Sequence, residues 1–318
     1  ARPQGVPGPS LTIDRSTYHL TPGARSTLAA FSFVLRSSKG GQHVVTLPDG
    51  ADLLGITIDG ASHPARLEGR RVVIPVNPGE HQVSLNWQQP TGISTRYVSP
   101  ELNLGVASAN SYTTIHIPEN RWILFVGGPA MGPAILFWGI LVIAVGLAFT
   151  LGKSSQTPLR TRDWLLLGLG LTQSPYLAAV TVVAWLFAAG FRRSRGNIPS
   201  KALFNGMQVA LALLTIAAVS SLVVGVTQGL LGRPDMQILG NGSSASLLTW
   251  YQDISPAILP ASWLISLPLW TYRVLMLLWA MWLAFALIKW LRWYWECFAS
   301  GGYWRKIEFR RRSESTKS

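Results

Sequence analysis

The stretch Ala202–Gly232, ALFNGMQVALALLTIAAVSSLVVGVTQGLLG, contains no Asp, Glu, Lys or Arg. It is longer than the roughly 18 to 20 apolar residues that a helix needs to cross a bilayer. A helix buried in a soluble core is shorter and carries a polar face. Two further uncharged runs, Leu124–Thr150 and Trp164–Phe191, repeat the pattern. Only 13% of the chain is charged, against about 25% in soluble domains. The deficit falls in these runs, so an integral membrane module is expected over residues 121–298. It reads as three spans plus a re-entrant helical hairpin, or as four spans.

Upstream the pattern changes. Short apolar runs at Thr27–Leu35, His43–Leu47, Leu53–Ile58, Val72–Val76, Val83–Trp87 and Tyr112–Ile117 are separated by Asp49-Gly50, Asp59-Gly60, Glu68-Gly69 and Asn77-Pro78-Gly79. Such pairs supply the positive φ of tight turns. Several short strands with a turn every 8 to 12 residues or so indicate a β-sandwich. Residues 10–120 are therefore expected to form an immunoglobulin-like β-sandwich. Residues 1–9, rich in Pro and Gly, read as a linker and lack the hydrophobic core of a signal peptide. Residues 299–318 read as a basic tail.

The net charge is +13. Up to Asn120 the balance is only +1, from 9 basic and 8 acidic residues. The basicity belongs to the loops and tail of the helical module. Membrane topology and anionic headgroups explain that placement; with no basic patch on a folded soluble domain, nucleic acid is not an expected partner.

Loop charge then sets a topology. Lys153–Arg162 is basic and should be cytoplasmic, and so is the segment with Arg192, Arg193, Arg195 and Lys201. Both can be cytoplasmic only if the run between them turns back. Pro175 disrupts the helix near its middle, so Gln173, Ser174 and Pro175 form the expected hairpin tip, with limbs of about 12 to 16 residues. The rival is one tilted span. Asp163 is an expected N-cap, Trp122–Val126 an interfacial turn, and Pro133–Gly152 the first spanning helix, with Pro133 in its first turn. The connector 232–261 should lie outside, with Leu247–Ile258 along the membrane surface. Residues 268–289 cross inward.

The chemistry-bearing residues are sparse. Five histidines (His19, His43, His63, His81 and His116) are scattered over separate strands and turns of the first domain, without metal-ligand spacing, and read as surface or strand-edge residues. Cys297 stands alone and reads as a small buried apolar residue. The absence of histidine after His116 argues against axial haem ligation. The absence of Asp and Glu inside the spans argues against an ion-coupled transporter. No Walker or nucleophile-elbow motif occurs. No catalytic residue, metal site or cofactor is expected. The remaining candidates are Arg273, one turn inside the outer boundary, and Trp279 with Trp282, which share a helix face at i,i+3. They suit a lipid, a partner or a flat ligand such as a quinone or carotenoid; ordinary helix packing is the plainer reading.

The segments NRWILFVGGP (120–129), WLLLGLGLTQ (164–173) and WTYRVLMLLW (270–279) resemble the carboxy-terminal membrane module of large proteobacterial envelope proteins, a group with no assigned activity. The resemblance covers residues 40–310. It implies a Gram-negative inner membrane, a periplasmic β-domain and a chain that continues something longer. The expected function is a non-enzymatic accessory or scaffold subunit that docks other inner-membrane subunits and membrane lipids. The alternatives are a lipid- or polymer-handling envelope component and a quinone- or carotenoid-binding subunit.

Overall fold

The computed structural model describes residues 10–64, 67–194, 200–300 and 302–305. The expected linker, Arg195 and most of the expected tail lie outside the described residues. The chain divides into two compact units, residues 1–137 with 235–271, and residues 138–234 with 272–318. The first takes in two segments beyond the expected boundary at residue 120.

Strands β1 (Leu11–Pro22), β2 (Thr27–Ser37), β3 (Gly41–Thr46), β4 (Asp52–Ile58), β5 (Ala61–His63), β6 (Leu67–Glu68), β7 (Arg71–Val76), β8 (Gly79–Gln89), β9 (Arg96–Val98) and β10 (Ser108–His116) follow in order. Each expected apolar run falls on one of them. Strands β11 (Arg121–Gly127) and β12 (Ala134–Ile135) precede the first helix, and β13 (Ile238–Leu239), β14 (Leu247–Ser255) and β15 (Trp263–Pro268) come more than a hundred residues after β11. The main sheet has the order β14-β10-β1-β2-β8-β4-β5; β3-β7-β6 and β11-β15-β9 form smaller sheets, and β12 pairs β13. All main-sheet neighbours are antiparallel except β1 with β10.

The core follows from period-two alternation. In β2, Ala29, Phe31, Phe33 and Leu35 are buried, and in β8 Val83, Leu85 and Trp87. From the small sheet, Val45, Val72 and Ile74 are also buried, and His43 meets Phe33 edge-on at 5.9 Å. Trp87 stacks on Tyr18 at 5.6 Å. The turns take the expected backbone, with positive φ at Gly50, Asp59, Gly60, Gly69 and Gly79.

Three sequence expectations are corrected here. Residues 247–255, expected along a membrane surface, form β14, which extends the main sheet, with Ser108 opposite Ser255 and His116 opposite Leu247. Trp122–Val126 is no turn; it lies within β11, paired to β15. Pro133 lies ahead of β12 and not in a helix. Trp250 gives the physical reason for the Gly/Pro-rich break: it is 1% exposed, and a side chain at Gly132 would collide with its indole.

The second unit is helical: α1 (Phe137–Leu151), α2 (Thr161–Leu171), α3 (Tyr176–Ser194), α4 (Lys201–Leu231) and α5 (Leu269–Ala299). Among the described residues, α3, α4 and α5 are long and apolar enough to cross a membrane, and α1, at 15 residues, is shorter than expected. The run 161–194 breaks where Pro175 requires it. It forms a helical hairpin of unequal limbs, 11 and 19 residues, because the break at residues 172–175 falls wholly before the midpoint of the run. Trp164 faces Phe187 at 6.1 Å, and Gly190 packs on the Gln156 backbone ahead of α2. The two ends of the hairpin therefore lie together. Asp163 is the third residue of α2 and not its N-cap: Arg160 takes the cap, and its backbone N–H donates to Asp163 Oδ2 at 3.0 Å.

Candidate functional site

The helical unit buries several polar side chains. Asn205 joins α4 to the segment after α5 with two hydrogen bonds: its amide donates to the Arg305 carbonyl at 2.8 Å, and the Arg305 backbone N–H donates to its Oδ1 at 2.9 Å. Gln208 donates to the carbonyls of Phe298 and Gly302, both at 3.1 Å. Tyr294 donates to the Leu211 carbonyl at 2.8 Å and stacks on Trp185. Arg192, 1% exposed, donates to the Ser300 carbonyl, and its guanidinium lies 4.8 Å from the Phe204 ring centre. Many large apolar residues of this unit are exposed, with Leu177 79% exposed and Leu231 82%.

The expected site residues are dispersed. Arg273 is exposed near the start of α5. Trp279 is buried: its indole N–H donates to the Leu166 carbonyl at 2.8 Å, and its ring lies against Gly170, where any larger residue would collide with it. Sequence spacing put Trp279 and Trp282 on one face. The structure packs the first inside and leaves the second half-buried beside Trp290, rings edge-on at 6.0 Å. The two do not form one open stacking wall, because Gly170 admits only the indole nearest to it.

At the hairpin tip the backbone is tied by turn bonds. Thr172, Gln173 and Ser174 donate to the carbonyls of Gly168, Gly170 and Leu171, and the Pro175 carbonyl accepts from Ala178 and Ala179. Ser174 lies against Gly225 of α4, whereas Pro175, Tyr176 and Leu177 are exposed.

A feature that sequence reasoning missed is a groove of about 780 Å³ between α2 and α5. Its walls include Arg160, Arg162, Asp163 and Leu166 from one side, and Trp282, Phe285, Lys289 and Trp290 from the other. The sequence signal was present, as two arginines at a helix start and a lone lysine in an apolar run. Only the pairing of α2 with α5 brings them together. A separate apolar cleft of about 230 Å³ lies among α1, α2 and α3, lined by Ile140, Leu147, Trp164 and Val183 among others.

In the β unit the histidines divide. His19, His63 and His116 are exposed. His43, read from sequence as a surface or strand-edge residue, lies on the edge strand β3 but is 5% exposed, and burial holds its pKa below the usual histidine value, outweighing a hydrogen bond with the Leu104 backbone. His81 contacts Asp59 at 2.7 Å; that hydrogen bond raises the His81 pKa and lowers that of Asp59. Among the described residues no cluster of three or more His, Cys, Asp or Glu could hold a metal. Cys297 is buried and free.

No family model and no curated protein matches this chain. Solved structures that resemble it include the M1 zinc metallopeptidase of Deinococcus radiodurans bound to a Tyr-Ser-Ala substrate, with 12% identity and a TM-score of 0.32, covering 39% of this chain and 36% of that one. A two-domain M1 zinc metallopeptidase bound to L-arginine has 11% identity and a TM-score of 0.31, covering 39% and 35%. The similarity thus spans about a third of the length of those chains, and at these scores it carries no functional argument.

Proposed function

We propose that this chain is a non-enzymatic accessory or scaffold subunit of a bacterial inner membrane, with the helical unit embedded in the bilayer and the β unit held in the periplasm as an immunoglobulin-like docking platform. One observation carries the proposal: the chain passes between the two units three times, at residues 137/138, 234/235 and 271/272. A domain on a single linker samples many orientations. Three covalent connections, each within a few residues of a helix end, suit a platform that is tied to the helical unit at several points and presents a partner.

The same connectivity supports the topology. The start of α1, the end of α4 and the start of α5 all adjoin the β unit in the chain, so they belong on one side of a membrane. The opposite ends carry Lys153, Arg160 and Arg162, then Arg192, Arg193 and Lys201, then Arg305, which the positive-inside rule assigns to the cytoplasm. The hairpin reading agrees, since both its ends fall on the basic side.

Purification from native membranes in mild detergent, with mass spectrometry of what accompanies the chain, tests this. The expected result is a stoichiometric inner-membrane partner. A monodisperse, partner-free chain would sink the scaffold reading. The lipid-handling alternative keeps one specific observation in its favour, the basic groove between α2 and α5. The quinone or carotenoid alternative rested on a face shared by Trp279 and Trp282 and loses its motive with Trp279 packed inside.

A further inference from the structure

We infer that the groove between α2 and α5 is a binding site for the phosphate headgroup of an anionic membrane lipid, seated at the end of the helical unit where α2 begins. The inference rests on the membrane embedding proposed above.

Charge is the first argument. Three cationic side chains, Arg160, Arg162 and Lys289, line the groove against one carboxylate, Asp163. That carboxylate is already engaged. Its Oδ2 accepts the Arg160 backbone N–H at 3.0 Å, while its Oδ1 lies 3.9 Å from Arg162 Nε, a weak ion pair. Among the described residues, neither Arg160 nor Lys289 has an ion-pair partner. Uncompensated cations gathered from two helices into one concavity suit an anion, and arginine's planar fork suits a phosphate above all.

The grading of the walls is the second argument, and it selects a lipid over a free phosphate. Along α2 the lining runs from Arg160 and Arg162 to Leu166. Along α5 it runs from Lys289 to Ala286, Phe285 and Trp282. Trp279, one turn beyond Trp282 on α5, is bonded to the carbonyl of Leu166 at the apolar end of the α2 lining, so the two apolar ends meet and both walls change from basic to apolar in the same direction. At 1.5 Å per residue the change takes about 10 Å. That is a headgroup seat continuing into a surface for an acyl chain, with Phe285 73% exposed and the half-buried Trp282 suited to the interfacial zone. A free phosphate would use only the basic end.

The volume, about 780 Å³, is within the range of small-molecule sites. This is a different place from Arg273, which lies sixteen residues earlier on α5 than Lys289, near the opposite end of that helix.

The test uses the full chain in detergent, with native mass spectrometry of bound dioleoyl phosphatidylglycerol against dioleoyl phosphatidylcholine at equal concentrations. The expected preference for phosphatidylglycerol is about tenfold, the scale of one or two charge-assisted contacts. It should vanish in R160Q/R162Q/K289Q and persist in R273Q. The exposed single variants R162Q and K289Q guard against misfolding: each should weaken the preference with an unchanged unfolding midpoint. Equal retention of both lipids, or a preference that survives these substitutions, would overturn the inference. Millimolar inorganic phosphate should leave the bound phosphatidylglycerol in place; full displacement would make this a free-phosphate site and overturn the lipid assignment. Alkaline carbonate washing of membranes separates the two levels. Release of the chain would refute the embedding itself, whereas a retained chain without lipid preference would refute only the site.

Discussion

The two units solve the burial problem in opposite senses. In the β unit the large apolar side chains (Trp87, Phe31, Phe33, Leu85) are 0–1% exposed, and ion pairs such as Arg36 with Asp14 and Glu80 lie at the surface. In the helical unit Asn205, Gln208 and Arg192 are buried, while many large apolar residues, such as Leu177, Leu213 and Phe285, are exposed. A folded chain places outside whatever its surroundings solvate best. The exposed apolar side chains of the helical unit agree with the membrane embedding proposed above, and the β unit keeps its large apolar side chains inside. Their cohesion should differ accordingly: hydrophobic collapse and aromatic packing in one, close helix approach and interhelical hydrogen bonds in the other.

The sharpest test of that contrast is Trp87→Ala. Truncating a fully buried Trp should cost about 3–5 kcal/mol, enough to unfold most of the β unit while the far-ultraviolet helix signal of the detergent-bound unit persists. Coincident loss of both signals would show that the units fold as one. Gly170→Leu comes next: it forces the Trp279 indole out of its seat, at about 1–3 kcal/mol for overpacking. Detergent-phase melting of the helices should drop while the β unit keeps its midpoint. Asn205→Leu removes two hydrogen bonds between α4 and Arg305, worth about 1 kcal/mol together if intramembrane bonds keep their usual modest value. A larger loss, read by the same melt, would indicate that polar groups dominate the cohesion of the helical unit.

The smallest expected effect is one of pH, and it is confined to the β unit. His43 is held below the usual histidine pKa by burial, so the unfolded chain binds the proton first. Its stability contribution is intact above about pH 6.5 and declines as pH falls below it. His81 has the opposite sign. Its raised pKa gives a contribution fully present below about 6.5 that is lost as pH rises through the folded value. Proton NMR titration should find His43 titrating below and His81 above that value, and His43→Gln should flatten the acid side of the stability curve. Equal titration of the two would remove the electrostatic contrast between a core and a surface histidine.

Much was legible in the sequence because it is local. Period-two runs with Gly turns marked six strands, uncharged runs marked the helices, and Pro175 marked the hairpin tip. Other features were not legible. LLTWYQDIS (247–255) alternates weakly and sits between two spans, so it reads as an interfacial segment; it is a strand because β10 offers a free edge 130 residues earlier. Likewise Trp279 and Trp282 look equivalent by spacing, and only Gly170 on another helix separates them.

Composition and periodicity alone determined that the chain joins a β-rich part to helices long and apolar enough to cross a membrane, since those properties depend on neighbours a few residues away. Tertiary structure decided which strands complete the main sheet, that its edge strand comes from a segment lying between two helices, and that Arg160, Arg162 and Lys289 share one groove. Each depends on pairing between residues remote in sequence, where shape complementarity across packed surfaces decides the partner and no local pattern encodes it.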